Sequence, residues 1–230
     1  MEDNDAGLAS SLTDLMTSLM VIFILLLVAS LNNAQQESEM TRSDIRVELR
    51  KKLQEFRDIK VEDDPKDPLS LWVLVPQNLL GFPFGKYEIP PQGIMFLQGF
   101  VPKLAETTCS PQFREKINSI VLEGHTDAVG TDERNLQLSQ NRSLTVVLES
   151  LRVLGAQPSG ETMASLRSCF LDFLSASGRG KVEPLGDQTT EEGRALSRRV
   201  IFKIRVRSVE QRQLREGLEP ATPVTAWSTE

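Results

Sequence analysis

Between Leu15 and Leu31 the chain reads LMTSLMVIFILLLVASL, with no charged residue. Carried back to Leu8, the stretch reaches the roughly 20 residues a helix needs to cross hydrocarbon. A secretory signal peptide is the competing assignment, but it requires a basic leading segment and the start MEDNDAG has none. A first segment, residues 1–34, is therefore expected to hold a short N-terminus and one transmembrane helix. The first basic residue of the chain is Arg42, beyond the helix. Counted alone, that places the C-terminal side in the cytoplasm.

The rest of the 230 residues has room for one globular domain with appendages. A formal net charge of -6 sets up no field that attracts nucleic acid, and no nucleic-acid partner is expected. The single histidine, His125, excludes most triad and zinc chemistries, which need it beside a second ligand or base. No enzyme, metal or cofactor is expected.

From Glu37 the chain turns polar but keeps Ile45, Leu49, Leu53 and Phe56 at helical spacing. Such a narrow stripe suits either an identical helix in a parallel dimer or the domain that follows. A helical linker is read over 35–68, closed by the prolines of VEDDPKDP. A domain over 69–207 should contain a strand at Leu71–Val75, a bend with aromatic anchors at Gly81–Gly85, a helix from Pro91 to about Thr107 and a strand at Ile117–Leu122. A helix capped by Thr131 should bury the stripe Leu144, Val147, Leu148 and Leu151 and end at Gly155. The run VIFKIRV (Val200–Val206) alternates apolar and basic residues, as a strand with one wet face does. The fold class is α+β, helices on a sheet as an α/β sandwich. The tail 208–230 loses periodicity after Leu218 and is expected to be partly disordered. Two buried free thiols are the default for Cys109 and Cys169, with a disulfide open if the domain is extracytoplasmic.

Two constellations carry chemistry. Asp14 lies in the first turns of the apolar helix with Thr17 and Ser18 one turn on. A carboxylate at mid-membrane costs on the order of 2.5–3.5 kcal/mol to insert, less near an end, so its presence asks for a reason. It either rests in the headgroups or exchanges a proton or cation with help from the hydroxyls. Around these residues, SLTDLMTSLMVIFILLLVASL resembles the membrane helix of stator B subunits, whose aspartate binds the driving ion. The resemblance implies an ion-binding role for Asp14, Thr17 and Ser18, with a lean to protons, a homodimer, and a ring of A-type subunits (MotA- or ZorA-like) as partner.

The second is Leu122–Arg142, LEGHTDAVGTDERNLQLSQNR. It resembles the OmpA-like peptidoglycan-binding signature, Gly-His-Thr-Asp, a glycine, then Asn-x-x-Leu-Ser-x-x-Arg. GFPFGKYEIPPQG and EEGRALSRRVIFKI resemble the opening and closing elements of that domain. The resemblance implies peptidoglycan binding by Asp127, Asn135, Leu138, Arg142 and Arg198. Independently, Asn135, Leu138 and Arg142 fall on one helical face near the loop of Asp127. A guanidinium and a carboxylate together suit the zwitterionic end of a wall-peptide diamino acid; a plain Asp127–Arg142 ion pair is the bland alternative. Pro83, Val129 and Ser197 depart from the family pattern, and Gln157–Ser177 is longer than usual.

Wall binding implies a periplasmic domain on a single-pass inner-membrane anchor with its N-terminus cytoplasmic, against the charge count. The short leading segment without basic residues resembles the Zorya anti-phage defence B subunits more than the flagellar motor ones. A passive envelope-to-wall tether is the reading from another class.

Overall fold

The computed structural model describes residues 2–56, 58–156 and 161–218. The chain forms two compact units, Met1–Glu39 with Ser208–Glu230, and Met40–Arg207.

In the first unit, helix α1 (Glu2–Lys52) begins and carries the apolar run. It is long and apolar enough to cross a membrane, with a mean hydropathy of 2.4 over its most apolar window. Leu15, Leu19, Phe23 and Leu26 are all more than half exposed, an apolar surface that water does not tolerate uncovered. The tail contributes helix α7 (Val209–Leu218), whose Arg212 lies 2.8 Å from Glu37 Oε1. The first half of the tail is thus ordered as a helix, while residues 219–230, expected to be disordered, lie outside the described residues.

In the second unit the chain continues from the C-terminal part of α1 into β1 (Lys60–Asp63), β2 (Ser70–Leu74), α2 (Gln77–Leu80), α3 (Pro91–Thr108), β3 (Ile117–Gly124), α4 (Asp132–Ala156), α5 (Glu161–Phe173), β4 (Leu174–Gly178), α6 (Glu191–Ser197) and β5 (Val200–Val206). The sheet order is β1-β2-β5-β3-β4. Only β3 and β4 run parallel, joined through α4 and α5. Val73, Ile120, Leu122, Phe202 and Ile204 face Leu97, Phe100 and Leu104 of α3 to form the core.

The stripe on α1 is resolved in favour of its own domain. Ile45 and Leu49 are fully buried, Leu53 is nearly so, and Phe56 sets its ring edge-on to Phe96 and Phe100 at 5.6 and 6.0 Å. This face is not free for the parallel partner considered above. A tethered apolar surface competes at high effective concentration against a second molecule. Part of the stretch read as linker is sheet, since Lys60–Asp63 pairs with Leu71–Leu74. Arg46 Nη1 bonds Asp63 Oδ2 at 2.5 Å, and Arg50 donates to Val61 O, fixing the helix along that edge strand.

Helix α4 also corrects an expectation. Of the expected stripe, Val147 is buried and Leu151 packs against the core, but Leu144 and Leu148 are exposed, and the buried face is Asn135, Ser139, Arg142, Ser143, Val146, Val147, Ser150, Val153 and Leu154. Small residues face the sheet because helix and strands nearly touch. A Cβ on Gly124 would sit 2.0 Å from Ser139 O, and one on Gly178 would sit 2.6 Å from Gln140 N. Beside this close approach there is no room for a leucine, and Leu144 and Leu148 face away while Leu151 and Leu154, further along the helix, pack on the core.

Candidate functional site

At the end of β3 the chain leaves the sheet through His125, Thr126 and Asp127, and the loop returns at Thr131, whose hydroxyl accepts from Arg134 N to start α4. The Gly81–Pro90 loop and the corner between α6 and β5 close over the same place. Asp127 is 3% exposed. Its Oδ1 accepts from Val129 N at 3.1 Å and its Oδ2 from Arg198 Nη1 at 3.0 Å. Arg198 extends the chain of charges, donating from Nη2 to Glu191 Oε1 at 2.6 Å and from Nε to Phe82 O at 3.3 Å. These bonds, with those from Arg194, hold the Glu191 carboxyl below the usual range.

Arg142 does not pair with Asp127. Its guanidinium is completely buried and donates to three backbone carbonyls, Lys86 and His125 at 2.9 Å and Pro83 at 3.2 Å, over the ring of Phe82 at 5.2 Å. Burial, reinforced by the nearby Arg198 cation and opposed by Asp127, pushes it down to about 10, so it remains charged at neutral pH. The plain Asp127–Arg142 ion pair is corrected, because carbonyls from two loops outcompete a carboxylate already held by Arg198. Pro83, whose side chain offers no acceptor, still serves through its carbonyl.

The groups enclose a cavity of about 40 Å³, lined by Thr126, Asp127, Asn135, Leu138 and Arg142 with Phe84 and Val129 at its rim. Its size suits one small polar group, a water or an ammonium, rather than a sugar ring. Asn135 Nδ2 ties the loop by donating to Val129 O at 3.0 Å, and Leu138 is half-buried along the wall. Thr126 Oγ1 is buried with no hydrogen-bond partner among the described residues, an acceptor open to such a group. Arg134 also lines the cavity, so with Arg142 and Arg198 three guanidiniums stand against the carboxylates of Asp127 and Glu191, and charges of both signs are offered to a zwitterion with a small positive excess.

The OmpA family model matches residues 81–198, the stretch that holds every one of these groups. The chain belongs to the OmpA family. Zorya protein ZorB from an enterotoxigenic Escherichia coli strain is 30% identical over 174 residues, covering 70% of this chain and 69% of that one. ZorB of Escherichia coli strain Crooks is 25% identical over 225 residues, covering 88% and 89%. Among solved structures, a putative MotB-like protein from Desulfovibrio vulgaris matches with a TM-score of 0.51 at 25% identity, over 75% of this chain and 99% of that one. This OmpA-family chain is ZorB- and MotB-like in its relatives.

The five residues expected to bind peptidoglycan come together in the OmpA-family domain. Asp127, Asn135, Leu138 and Arg142 line the cavity, and Arg198 stands behind Asp127. Glu191, Phe82 and Thr126 were missed as contributors. Thr126 was in plain view within Gly-His-Thr-Asp, whereas Glu191 becomes visible only once α6 brings it to Arg198. His125 is buried and pushed down to about 4 by desolvation and by Arg199, so it is neutral, with Nδ1 3.3 Å from Val182 O. It takes a structural part.

In the first unit, Asp14, Thr17 and Ser18 lie exposed on α1. Thr17 Oγ1 donates back to Thr13 O at 3.0 Å and Asp14 O at 2.9 Å. Its hydrogen is committed to the helix while its lone pairs stay available to a cation. Among the described residues no cluster of His, Cys, Asp and Glu is arranged to hold a metal ion. Cys109, at the end of α3, and Cys169 of α5 form a disulfide with Cα atoms 6.1 Å apart, which corrects the default of two free thiols. The two sites are brought together by packing of α5 against α3.

Proposed function

We propose that this chain is the membrane-anchored, peptidoglycan-binding B-type subunit of a proton-driven stator-type complex acting in anti-phage defence. In this reading two copies pair inside a ring of A-type subunits, α1 crosses the inner membrane with its N-terminus in the cytoplasm, and the OmpA-family domain faces the periplasm. The observation that carries it is the joining, on one chain, of a cavity of OmpA type that offers charges of both signs to an apolar helical run with a carboxylate, Asp14, in its first turns. Kinship with ZorB supports defence over other uses of the same parts. The disulfide supports the periplasmic side, because such bonds persist in oxidising compartments. It outweighs the charge count, which weighs only a few residues near one helix.

At the cavity, the ammonium of a wall-peptide diamino acid would enter beside Asp127, Asn135 and Thr126 Oγ1. Its carboxylate would lie outside the cavity toward the exposed guanidinium of Arg134, with the buried cation of Arg142 behind. At the helix, Asp14 takes up and releases the ion as it passes the A-type ring.

The MotB-like structural neighbour favours a second reading, the B subunit of a flagellar stator. One experiment separates these readings and a passive tether. Asp14→Asn keeps the shape but cannot exchange a proton, so phage protection should vanish while expression and assembly persist. Protection at wild-type level would reduce the protein to a tether, and loss of swimming with phage resistance intact would make it a motility stator.

A further inference from the structure

Away from the wall-binding cavity, on the sheet face opposite α3 and bordered by α2 and α6, lies a second cavity of about 300 Å³. Its floor follows from strand register. Lys60 of β1 pairs with Leu74 of β2, which pairs with Ile201 of β5, so the three lie side by side on one face. Their neighbours Val61, Val73 and Phe202 point the other way into the core. Leu185 and Leu196 form apolar walls and remain 45% and 50% exposed, so the groove is open and uncovered in the monomer.

One end of the groove is cationic. Arg199 lines it and is 8% exposed, yet only its Nη2 has a partner, Glu183 O at 3.2 Å. Its Nε and Nη1 are buried without one among the described residues. A buried guanidinium with unmatched donors is costly, and an anion at this end relieves it. Lys60, in no ion pair among the described residues, adds a second positive charge; the carboxylates nearby are that of Asp58 in the lining and that of Glu183, which attracts Arg199 without bonding its guanidinium and is itself paired with Lys66.

The geometry points to this groove as a docking site for the C-terminal end of an extended polypeptide with apolar last residues. The terminal carboxylate is met by Arg199 and Lys60, and the apolar side chains lie on Leu74 and Ile201 between Leu185 and Leu196. A hydrocarbon tail offers the same apolar match, but the rim also presents the amide of Gln77 and the carboxylate of Asp58. A peptide backbone supplies partners for both, and an acyl chain leaves them covered and unpaired. The site does not depend on the wall-binding reading.

The test uses the full chain in phosphatidylcholine nanodiscs and a fluorescein-labelled pentapeptide ending in Leu-Val-Leu, with either a free carboxylate or a C-terminal amide. The free acid should bind saturably, and the amide at least tenfold more weakly by anisotropy. Arg199→Gln should weaken the acid at least tenfold. Since Arg199 is buried and that variant can misfold, Leu196→Asp, which places a like charge on an exposed wall, should do the same while leaving retention on sacculi unchanged. Absence of saturable binding, equal binding of acid and amide, undiminished binding by a folded Leu196→Asp protein, or displacement of the peptide by dodecanoate would each overturn the proposal.

Discussion

Arg198 and Asp127, 71 residues apart in sequence, meet at 3.0 Å with their side chains 6% and 4% exposed, the most deeply buried of the ion pairs around the cavity. Removing one partner of such a pair leaves a charge buried and uncompensated, which typically costs about 3–5 kcal/mol. Arg198→Ala is expected to lower the stability of the domain by about that amount in urea titration. Asp127→Asn keeps the shape but offers one acceptor oxygen where the carboxylate offers two, so it can accept from Val129 N or from Arg198 and not from both; because Arg198 keeps Glu191, it should cost less stability than Arg198→Ala. The same Asp127→Asn protein should lose roughly tenfold to hundredfold in binding to purified sacculi, the magnitude of one charged hydrogen bond. Undiminished sedimentation with sacculi would mean that Asp127 only braces the loop.

Arg142 should behave as a brace first. Its three carbonyl acceptors belong to residues 83, 86 and 125, so Arg142→Lys, which keeps the charge on a single nitrogen, cannot hold all three. The variant is expected to unfold at lower urea than Asp127→Asn and to show faster amide hydrogen exchange in the Gly81–Pro90 loop. Wild-type exchange there would show that the carbonyls find other donors.

The disulfide closes a loop with a sequence separation of 60, for which chain entropy predicts about 4 kcal/mol of stabilisation. The double variant Cys109→Ala, Cys169→Ala should be destabilised on that scale. The wild-type protein from cells should show no thiol that reacts with maleimide until it is reduced. Two reactive thiols in the unreduced, denatured protein would contradict the pairing and the support it lends to a periplasmic domain.

Acid should weaken the domain through His125. Its folded value, about 4, lies below the ordinary histidine value of 6.5, so between these pH values the unfolded chain binds the extra proton. Stability from this group is therefore full above about 6.5 and declines as pH falls toward about 4, by about 3 kcal/mol in all. His125→Gln, which cannot titrate, should flatten the curve over that window. A slope equal to that of wild type would assign the acid sensitivity elsewhere.

How far the sequence foretold the molecule depends on which groups did the work. The alternation of Val200–Val206, the proline that opens α3 at Pro91 and the signature around Asp127 are side-chain patterns, and they put their elements where the structure has them. Arg142 was singled out, but its acceptors are backbone carbonyls in two loops, and a carbonyl leaves no trace in residue identity. The face of α4 was half right, with Val147 and Leu151 turned inward, and wrong at Leu144 and Leu148, which outweigh serines in any apolar pattern. Only the contact of Gly124 and Gly178 with the helix explains why serines face inward. Strand β1, with the polar sequence KVED, and β4, LSASG, have little β-favouring character and owe their form to the neighbours they pair with.

That contact also sets which parts of the molecule are free to drift. Because Gly124 meets the backbone of Ser139 directly, the height of α4 above the sheet is fixed by main-chain atoms that every substitution shares. Asn135 and Arg142 ride on that helix, so the inner walls of the cavity keep their spacing however the aliphatic core is rewritten. Variation in what the domain grips is thereby confined to the rim at Phe84 and Val129, and a library directed there would sample new ligands without loosening the frame beneath.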